Sequence, residues 1–330
     1  MKKCALITGG LGFVGSFIAR KLIEEDCVDN VVCLDHFGRY VDSTKPIFMD
    51  YRKSRLKDID HRVIIERGEA KYYSVMLNIL EKYQPTYIFH LAALPLAKLN
   101  NLNTEEAREG SVDSTSAMLE IIGHLAGTIG YRPDKFVYTS SSMVYGDFVS
   151  DVATEEHPTN PKEIYGTMKL AGEIITKGLC GYYDIPYTII RPSAVYGPTD
   201  MNRRVSQIFI EKAFLGQPLT VQGADEKLDF TYVKDAANGF VRAAINENSC
   251  GHTFNITHGQ AHTLLDLALC LKNHFPSLEY NVVERDSFRP KRGTLSIEKA
   301  QKLIGYEPQY SLEKGISEYV EFIRNNNTSL

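Results

Sequence analysis

The sequence predicts an α/β fold, a doubly wound parallel sheet followed by a smaller C-terminal α/β domain. Three observations carry this expectation. Short β-branched or aromatic runs alternate with amphipathic helical stretches through the first 190 residues. A glycine-rich turn joins the first run to the first helix, and a carboxylate closes the second run about 20 residues past the last glycine. Beyond Arg191 the rhythm breaks into shorter pieces punctuated by proline and glycine.

Strands are expected at residues 4–8, 31–35, 63–66, 87–92, 136–140 and 187–191, and helices at 12–25, 74–83, 104–126 and 163–182. Helices of that length between strands act as crossovers, which make the strands parallel and cover the sheet on both faces. Pro192, Gly197, Pro198, Gly216, Pro218 and Gly223 interrupt the next stretch. A strand-like segment at 230–233, a helix at 234–246 and a closing helix after Tyr310 follow. The expected division is a nucleotide-binding domain over residues 1–190, with 230–246 packing back onto it, and a substrate domain over 191–330. The cleft between them is the expected site. The chain contains no internal repeat.

With 330 residues, 43% of them hydrophobic and 24% charged, the chain has material for a sizeable core. A formal net charge of −4 without a basic stretch argues against a nucleic-acid partner. The N-terminal apolar run is too short for a secretory signal, and no later run reaches the roughly 18–20 apolar residues of a membrane span. The six cysteines include no Cys-x-x-Cys pair, and several lie within apolar patterns, so they read as small buried thiols. A cytoplasmic protein without a metal is expected; the nine histidines show no H-E-x-x-H spacing.

Gly9-Gly10-Leu11-Gly12-Phe13-Val14-Gly15 satisfies two spacings, G-x-G-x-x-G through Gly10, Gly12 and Gly15, and G-x-x-G-x-x-G through Gly9, Gly12 and Gly15. Glycine permits the tight turn, the approach of backbone amides to a pyrophosphate and close helix–strand packing. The following helix, through Phe13 and Val14, directs its positive end at the phosphates. Val31-Val32-Cys33-Leu34 ends in Asp35, where a carboxylate hydrogen-bonds the adenosine ribose hydroxyls and repels a 2′-phosphate. This Rossmann-type unit predicts NAD as cofactor, although His36 and Arg39 are cations that could pair with a 2′-phosphate.

Tyr165 and Lys169 form a Tyr-x-x-x-Lys pair, four residues apart on a helix and therefore on one face. A nearby ammonium favours the phenolate, so Tyr165 is the candidate base for a proton leaving a hydroxyl as hydride leaves the same carbon. With 19 tyrosines the spacing is expected by chance, and it recurs at Tyr131 and Lys135 and at Tyr310 and Lys314. Pro133 breaks the helical face of the first of these, and the second lies far in sequence from the nucleotide unit. Only Tyr165 follows a hydroxyl-rich strand end, Thr139-Ser140-Ser141-Ser142.

Taken together, Thr8-Gly-Gly-Leu-Gly-Phe-Val-Gly15, His90-Leu-Ala-Ala93, Ser140-Ser-Ser-Met-Val-Tyr-Gly146, Tyr165 with Lys169, and Arg191-Pro-Ser-Ala-Val-Tyr-Gly-Pro198 resemble the extended short-chain dehydrogenase/reductase superfamily. Within it the nucleotide-sugar epimerases and dehydratases are the most similar group, and the resemblance covers nearly the whole chain. It implies that Ser141 orients the sugar hydroxyl, Tyr165 acts as base and Lys169 holds the nicotinamide ribose. The remaining cofactor contacts it implies are His36 beside Asp35, Glu69 and Ala70 at the adenine, Leu91, Ala92 and Ala93 beyond the fourth strand, Ser140, and Pro192. Ser142, Met143, Ala194, Leu228 and Arg289 are the implied substrate contacts, Arg289 at the nucleotide diphosphate. His90 and the hydroxyls of Ser140 and Ser142 also fit plain structural hydrogen bonding.

The chain departs from the family pattern in places. Dehydratases carry an Asp-Glu pair directly after the catalytic hydroxyl, where this chain has Ser142 and Met143. Leu228 replaces an arginine, Ala194 an asparagine, Glu69-Ala70 an aspartate–hydrophobic pair, and Ser111-Val-Asp-Ser114 an Asn-x-x-Gly. The resemblance therefore implies an NAD-dependent 4-epimerase of a nucleotide-diphosphate sugar. A nucleotide-sugar 4-dehydrogenase or a 4-keto-sugar reductase would use the same residues, and a non-catalytic NAD-binding regulator is the alternative of another class. The family commonly dimerises through the helices corresponding to 104–126 and 163–182, so a homodimer is expected.

Overall fold

A computed structural model describes residues 3–37, 52–93, 104–202, 204–285 and 287–326. In chain order the elements that build the site are β1 (Cys4–Thr8), α1 (Phe13–Glu24), β2 (Asn30–Asp35), β3 (Val63–Arg67), α2 (Tyr73–Tyr83), β4 (Tyr87–His90), α3 (Ser114–Ile129), β5 (Lys135–Thr139), α4 (Ile164–Tyr183), β6 (Tyr187–Pro192), α5 (Val205–Phe214), β7 (Leu219–Gln222), α6 (Val233–Ile245), β8 (Thr253–Ile256), α7 (Leu264–Lys272), β9 (Tyr280–Val283), α8 (Glu298–Ile304) and α9 (Leu312–Asn326). Arg39 lies outside the described residues.

Seven parallel strands form the main sheet in the order β8-β6-β5-β4-β1-β2-β3. Successive residues of a strand face opposite ways, so a strand covered on both sides must be apolar throughout. Ala5 and Ile7 of β1 pack with Ile18 and Leu22 of α1 and Phe240 and Val241 of α6. Leu6, between them, packs with Met76 of α2, Met118 and Ile122 of α3 and Cys180 of α4. The strand order reverses between β1 and β4, and at such a switch point the carboxyl ends of the strands open a crevice for a ligand.

The four-residue β8 pairs with β6 as the sheet's outermost strand, and α8 shares the core on that side through Ala300 and Ile304. The sheet thus draws on residues beyond 190 as well as on α6. A second core gathers Tyr196, Phe209, Ile210, Leu219, Val221, Leu267, Leu271, Ile316 and Val320, around the parallel pair β7 and β9.

Thr104–Arg108 and Glu109–Asp113 precede α3 as one continuous helix, the second segment being π-helical. The hydroxyls of Ser114, Thr115 and Ser116 donate to the carbonyls of Gly110, Ser111 and Val112 at 2.9, 2.7 and 2.9 Å. Such back-bonding competes with the backbone ladder, and it coincides here with the distorted turn. Gly110 and Ser114 line a cavity.

Candidate active site

A cavity of about 1060 Å³ runs from the glycine turn, past the ends of β1, β4, β5 and β6, to the segment around Arg289. Gly9 opens the turn with φ +72°, a left-handed conformation suited to glycine. The α1 N-terminus that follows has no side-chain cap and no acidic residue in its first turn. Phe13, Val14 and Gly15 there line the cavity, so this end is fitted to an anionic phosphate group. Asp35, at the end of β2, accepts hydrogen bonds from the amides of Leu11 (3.2 Å) and Phe37 (2.8 Å). Burial pushes its pKa up, but these bonds and His36 outweigh burial and hold the carboxyl below its usual range. The His36 ring nitrogen lies 3.6 Å from that carboxylate, so the imidazole is engaged with Asp35. An uncapped helix end beside an ionised carboxylate fits the pyrophosphate and ribose of a dinucleotide.

The far wall is set by Thr8. Its hydroxyl oxygen accepts from the amides of Leu91 (3.1 Å) and Ala92 (3.0 Å) and lies 2.9 Å from His90 Nδ1. With its lone pairs so used, the hydroxyl donates to Nδ1, which leaves the proton of a neutral imidazole on Nε2. Nε2 then donates to Ser114 Oγ (3.1 Å), whose own proton goes to Gly110. His90 is therefore a strut between β4 and α3. Burial, reinforced by the charge of Lys169, pulls its pKa down to about 3.

Between about pH 6.5 and 3 the unfolded chain binds a proton that folded His90 refuses, so stability is lost as pH falls through that window. In urea unfolding, the drop in midpoint from pH 7 to pH 4.5 is expected to shrink in His90→Gln relative to the unmodified protein. An unchanged drop would remove His90 from the cause.

Ser141, Tyr165 and Lys169 meet at the centre of the cavity. Ser141 caps the short helix Ser142–Tyr145, its Oγ accepting from Met143 N at 3.2 Å. Tyr165 starts α4 on its cavity side, and Lys169 one turn later donates to the Thr139 carbonyl at 2.7 Å. The Lys169 ammonium lies 5.9 Å from the Tyr165 ring centroid and 5.4 Å from that of Tyr138. Burial brings the lysine down to about 7 against the opposing charge of Glu173. Burial likewise raises the Tyr165 phenol, and Arg204 and the Ser141 hydroxyl are what pull it back. Lys169, expected from its spacing to favour the phenolate, donates to a backbone carbonyl while its ammonium stays 5.9 Å from the Tyr165 ring centroid.

The other two tyrosine–lysine pairs stay outside the cavity. Tyr131 donates to the Pro85 carbonyl (2.8 Å), and Tyr310 stacks on Tyr232 at 4.4 Å.

The cofactor candidates Gly9, Gly12, Glu69, Ala70, Leu91, Ala92, Ala93, Ser140 and Pro192 all line this same cavity. Glu69 forms an ion pair with Lys71 at 3.2 Å, and Lys71 in turn reaches Glu109 on the π-helical segment at 2.8 Å. The Ser140 hydroxyl, however, donates to Glu173, which makes it part of the internal framework. The substrate candidates Ser142, Met143, Ala194, Leu228 and Arg289 also line the cavity. Ala194 has φ +39°, and Leu228 also belongs to the second core.

Three cavity arginines went unnoticed in the sequence. Arg204 sits at the start of α5 and donates to the Val195 carbonyl (3.2 Å). Arg292 approaches Met143 Sδ at 3.6 Å. Arg55 donates to Leu11 O (2.7 Å) and to the Thr199 carbonyl (2.5 Å), joining the glycine turn to the substrate side. The one available signal was the nearness of Arg292 to Arg289 in Arg289-Pro-Lys-Arg292; nothing local marks the other two.

Fold and site together define a dinucleotide-dependent α/β enzyme. The chain belongs to the NAD-dependent epimerase/dehydratase family, whose model matches residues 5–257. It is 29% identical over 336 residues to a putative UDP-glucose 4-epimerase of Methanocaldococcus jannaschii, covering 98% of this chain and 99% of that one. It is also 25% identical to the dTDP-glucose 4,6-dehydratase of Haemophilus influenzae, covering 98% of each. Among solved structures it resembles the UDP-glucuronic acid 4-epimerase of Bacillus cereus in complex with UDP-glucuronic acid and NAD. That likeness has a TM-score of 0.86 at 26% identity and covers 98% of this chain and 99% of that chain. NAD is the cofactor, and the glycine turn, the α1 N-terminus and Asp35 are the residues that fit it. Among the described residues no helix is long and apolar enough to cross a membrane.

Proposed function

We propose that the protein is a nucleotide-sugar 4-epimerase. The observation that carries this reading is the convergence of Ser141, Tyr165 and Lys169 on one cavity, with Ser142 and Met143 where a dehydratase holds its acid pair. The Met143 thioether has no proton with which to expel a hydroxyl group as water, which favours oxidation and reduction at one carbon. NAD, when bound, would supply a reversible hydride acceptor at that carbon. Tyr165 takes the proton of the sugar's 4-hydroxyl and gives it back, and Ser141 orients that hydroxyl. Lys169, buried and anchored on Thr139, holds the ribose end. Gly9 to Gly15 and Asp35 fix the dinucleotide, and Arg289 faces the substrate diphosphate.

The test is product analysis. Purified enzyme is incubated with UDP-glucose, UDP-galactose, UDP-glucuronate and dTDP-glucose, and products are identified by NMR. Inversion at C4 without net change in cofactor is expected. A 4-keto-6-deoxy product would make the enzyme a dehydratase, and stoichiometric NADH would make it a dehydrogenase.

A homodimer through α3 and α4 belongs to the same proposal. Ile174 is 64% exposed and Tyr182 80%, and Gly178 and Gly181 lie over open space. Ile174, Gly178, Gly181 and Tyr182 share one helix face, whose small residues let a second helix approach. Sedimentation is expected to show a dimer at micromolar concentration and a monomer for Ile174→Glu.

A further inference from the structure

We propose that the sugar turned over by this enzyme carries a carboxylate, and that Arg292 is the residue that reads it; this rests on the epimerase reading above. Arg292 lines the cavity with its Nη1 3.6 Å from the sulfur of Met143. Met143 lies two residues past Ser141 and donates its amide to the Ser141 hydroxyl. The guanidinium is thus beside the reacting sugar. Met143 also stands where a dehydratase holds an acid against the sugar substituent it removes, so the same substituent faces Arg292.

The backbone on either side of Arg292 is fixed. Lys291 N donates to Asp147 Oδ1 (2.7 Å), Phe148 N to the Lys291 carbonyl (2.8 Å), and Thr294 N to the Asp151 carbonyl (3.3 Å). Both flanks of Arg292 are therefore tied to the segment that continues from the catalytic turn. Nevertheless its Nε is buried without a hydrogen-bond partner. Glu226, one nearby carboxylate, is engaged at 2.6 Å by Arg285. Burial lowers the Arg292 pKa to about 10, the charge of Glu163 opposes this and that of Arg289 adds to it, so the group is still a cation at neutral pH.

A buried donor left unpaired is unfavourable, and a guanidinium fork matches a carboxylate in a way that a hydroxymethyl group cannot. A sugar ending in a carboxylate supplies the missing acceptor. A neutral hexose leaves the fork unmatched, and a site built around a buried polar group discriminates against a ligand that cannot pair with it.

The experiment measures binding and turnover of UDP-glucuronate against UDP-glucose, and of the corresponding dTDP pair, on the NAD-loaded enzyme, Arg292→Met and Arg292→Lys. Melting temperatures check that both variants fold. The unmodified enzyme is expected to prefer the uronate within a pair, and Arg292→Met to reduce that uronate-to-neutral ratio about 30- to 100-fold, mostly through KM. Arg292→Lys keeps the charge without the fork and is expected to fall between. Equal weakening of both sugars would place Arg292 at the diphosphate and overturn the proposal, as would a preference for the neutral sugar. Either result, with C4 inversion retained, leaves the epimerase reading standing. If no member of either pair binds, both readings fall.

Discussion

The Tyr165→Phe variant is expected to turn over its nucleotide sugar about 10²–10⁴ times more slowly than the unmodified enzyme, the range lost when a positioned acid–base group is removed. The ring remains, so packing at the start of α4 and the amount of NAD bound should change little. Steady-state kcat, NAD content of the purified protein and melting temperature together check this. The expected pattern is a large fall in the first with the other two preserved. A variant retaining more than about a tenth of its turnover would show that another group moves the proton.

A larger effect on stability is expected at Glu173. Its carboxylate is 1% exposed and accepts two bonds from Arg191, itself 4% exposed, Nε to Oε1 at 2.8 Å and Nη2 to Oε2 at 2.7 Å. The remaining arginine nitrogen donates to Tyr145 Oη (3.0 Å), which donates to Asn255 Oδ1 (2.7 Å), so the network joins α4, β6, the catalytic turn and β8. Glu173→Ala strands a buried guanidinium and is expected to cost about 3–5 kcal/mol. In a chain of this size that corresponds to a fall of roughly 5–10 °C in melting temperature.

The same substitution acts on catalysis. The charge of Glu173 opposes the burial that lowers Lys169, so its loss moves the lysine further below about 7. Any activity that depends on the ammonium then disappears at lower pH as pH rises. Replacing both partners with apolar residues, Glu173→Leu with Arg191→Met, is expected to recover much of the stability but not the pH profile. A structural role alone would leave that profile where it was.

What could be read from the sequence follows the range over which each feature is written. The glycine turn, Asp35 and the Tyr165–Lys169 pair lie within single strand–turn–helix units or one helical turn, where spacing dictates geometry. The strands of the first half were legible because burial on both faces makes them continuous apolar runs. Strand β8 was not, since Thr253-Phe-Asn-Ile256 is four residues long with a polar residue at its centre. Asn255 is fully buried there because it accepts from Tyr145 and donates to the carbonyls of Ala153 (3.3 Å) and Ser296 (3.2 Å), partners over 40 residues or more. The cavity arginines are of the same kind. Arg292 meets Met143 across 149 residues, and Arg55 meets Thr199 across 144. The direction of the Lys169 side chain was also beyond spacing, because it depends on the Thr139 carbonyl from another strand.

The place of β8 in the sheet bears on how the chain is made. A nascent chain that has emerged only as far as β6 holds six of the seven strands and leaves the outer edge of β6 without its neighbour. The helix α6, which covers one face beside α1, is also still to come. An uncapped strand edge next to an uncovered apolar face invites pairing with other chains. The cofactor half therefore cannot finish its sheet until the following 60 or so residues have emerged. A fragment ending at residue 192 is a candidate for aggregation, and one ending after α8 would contain every element that the sheet and its two covering layers use.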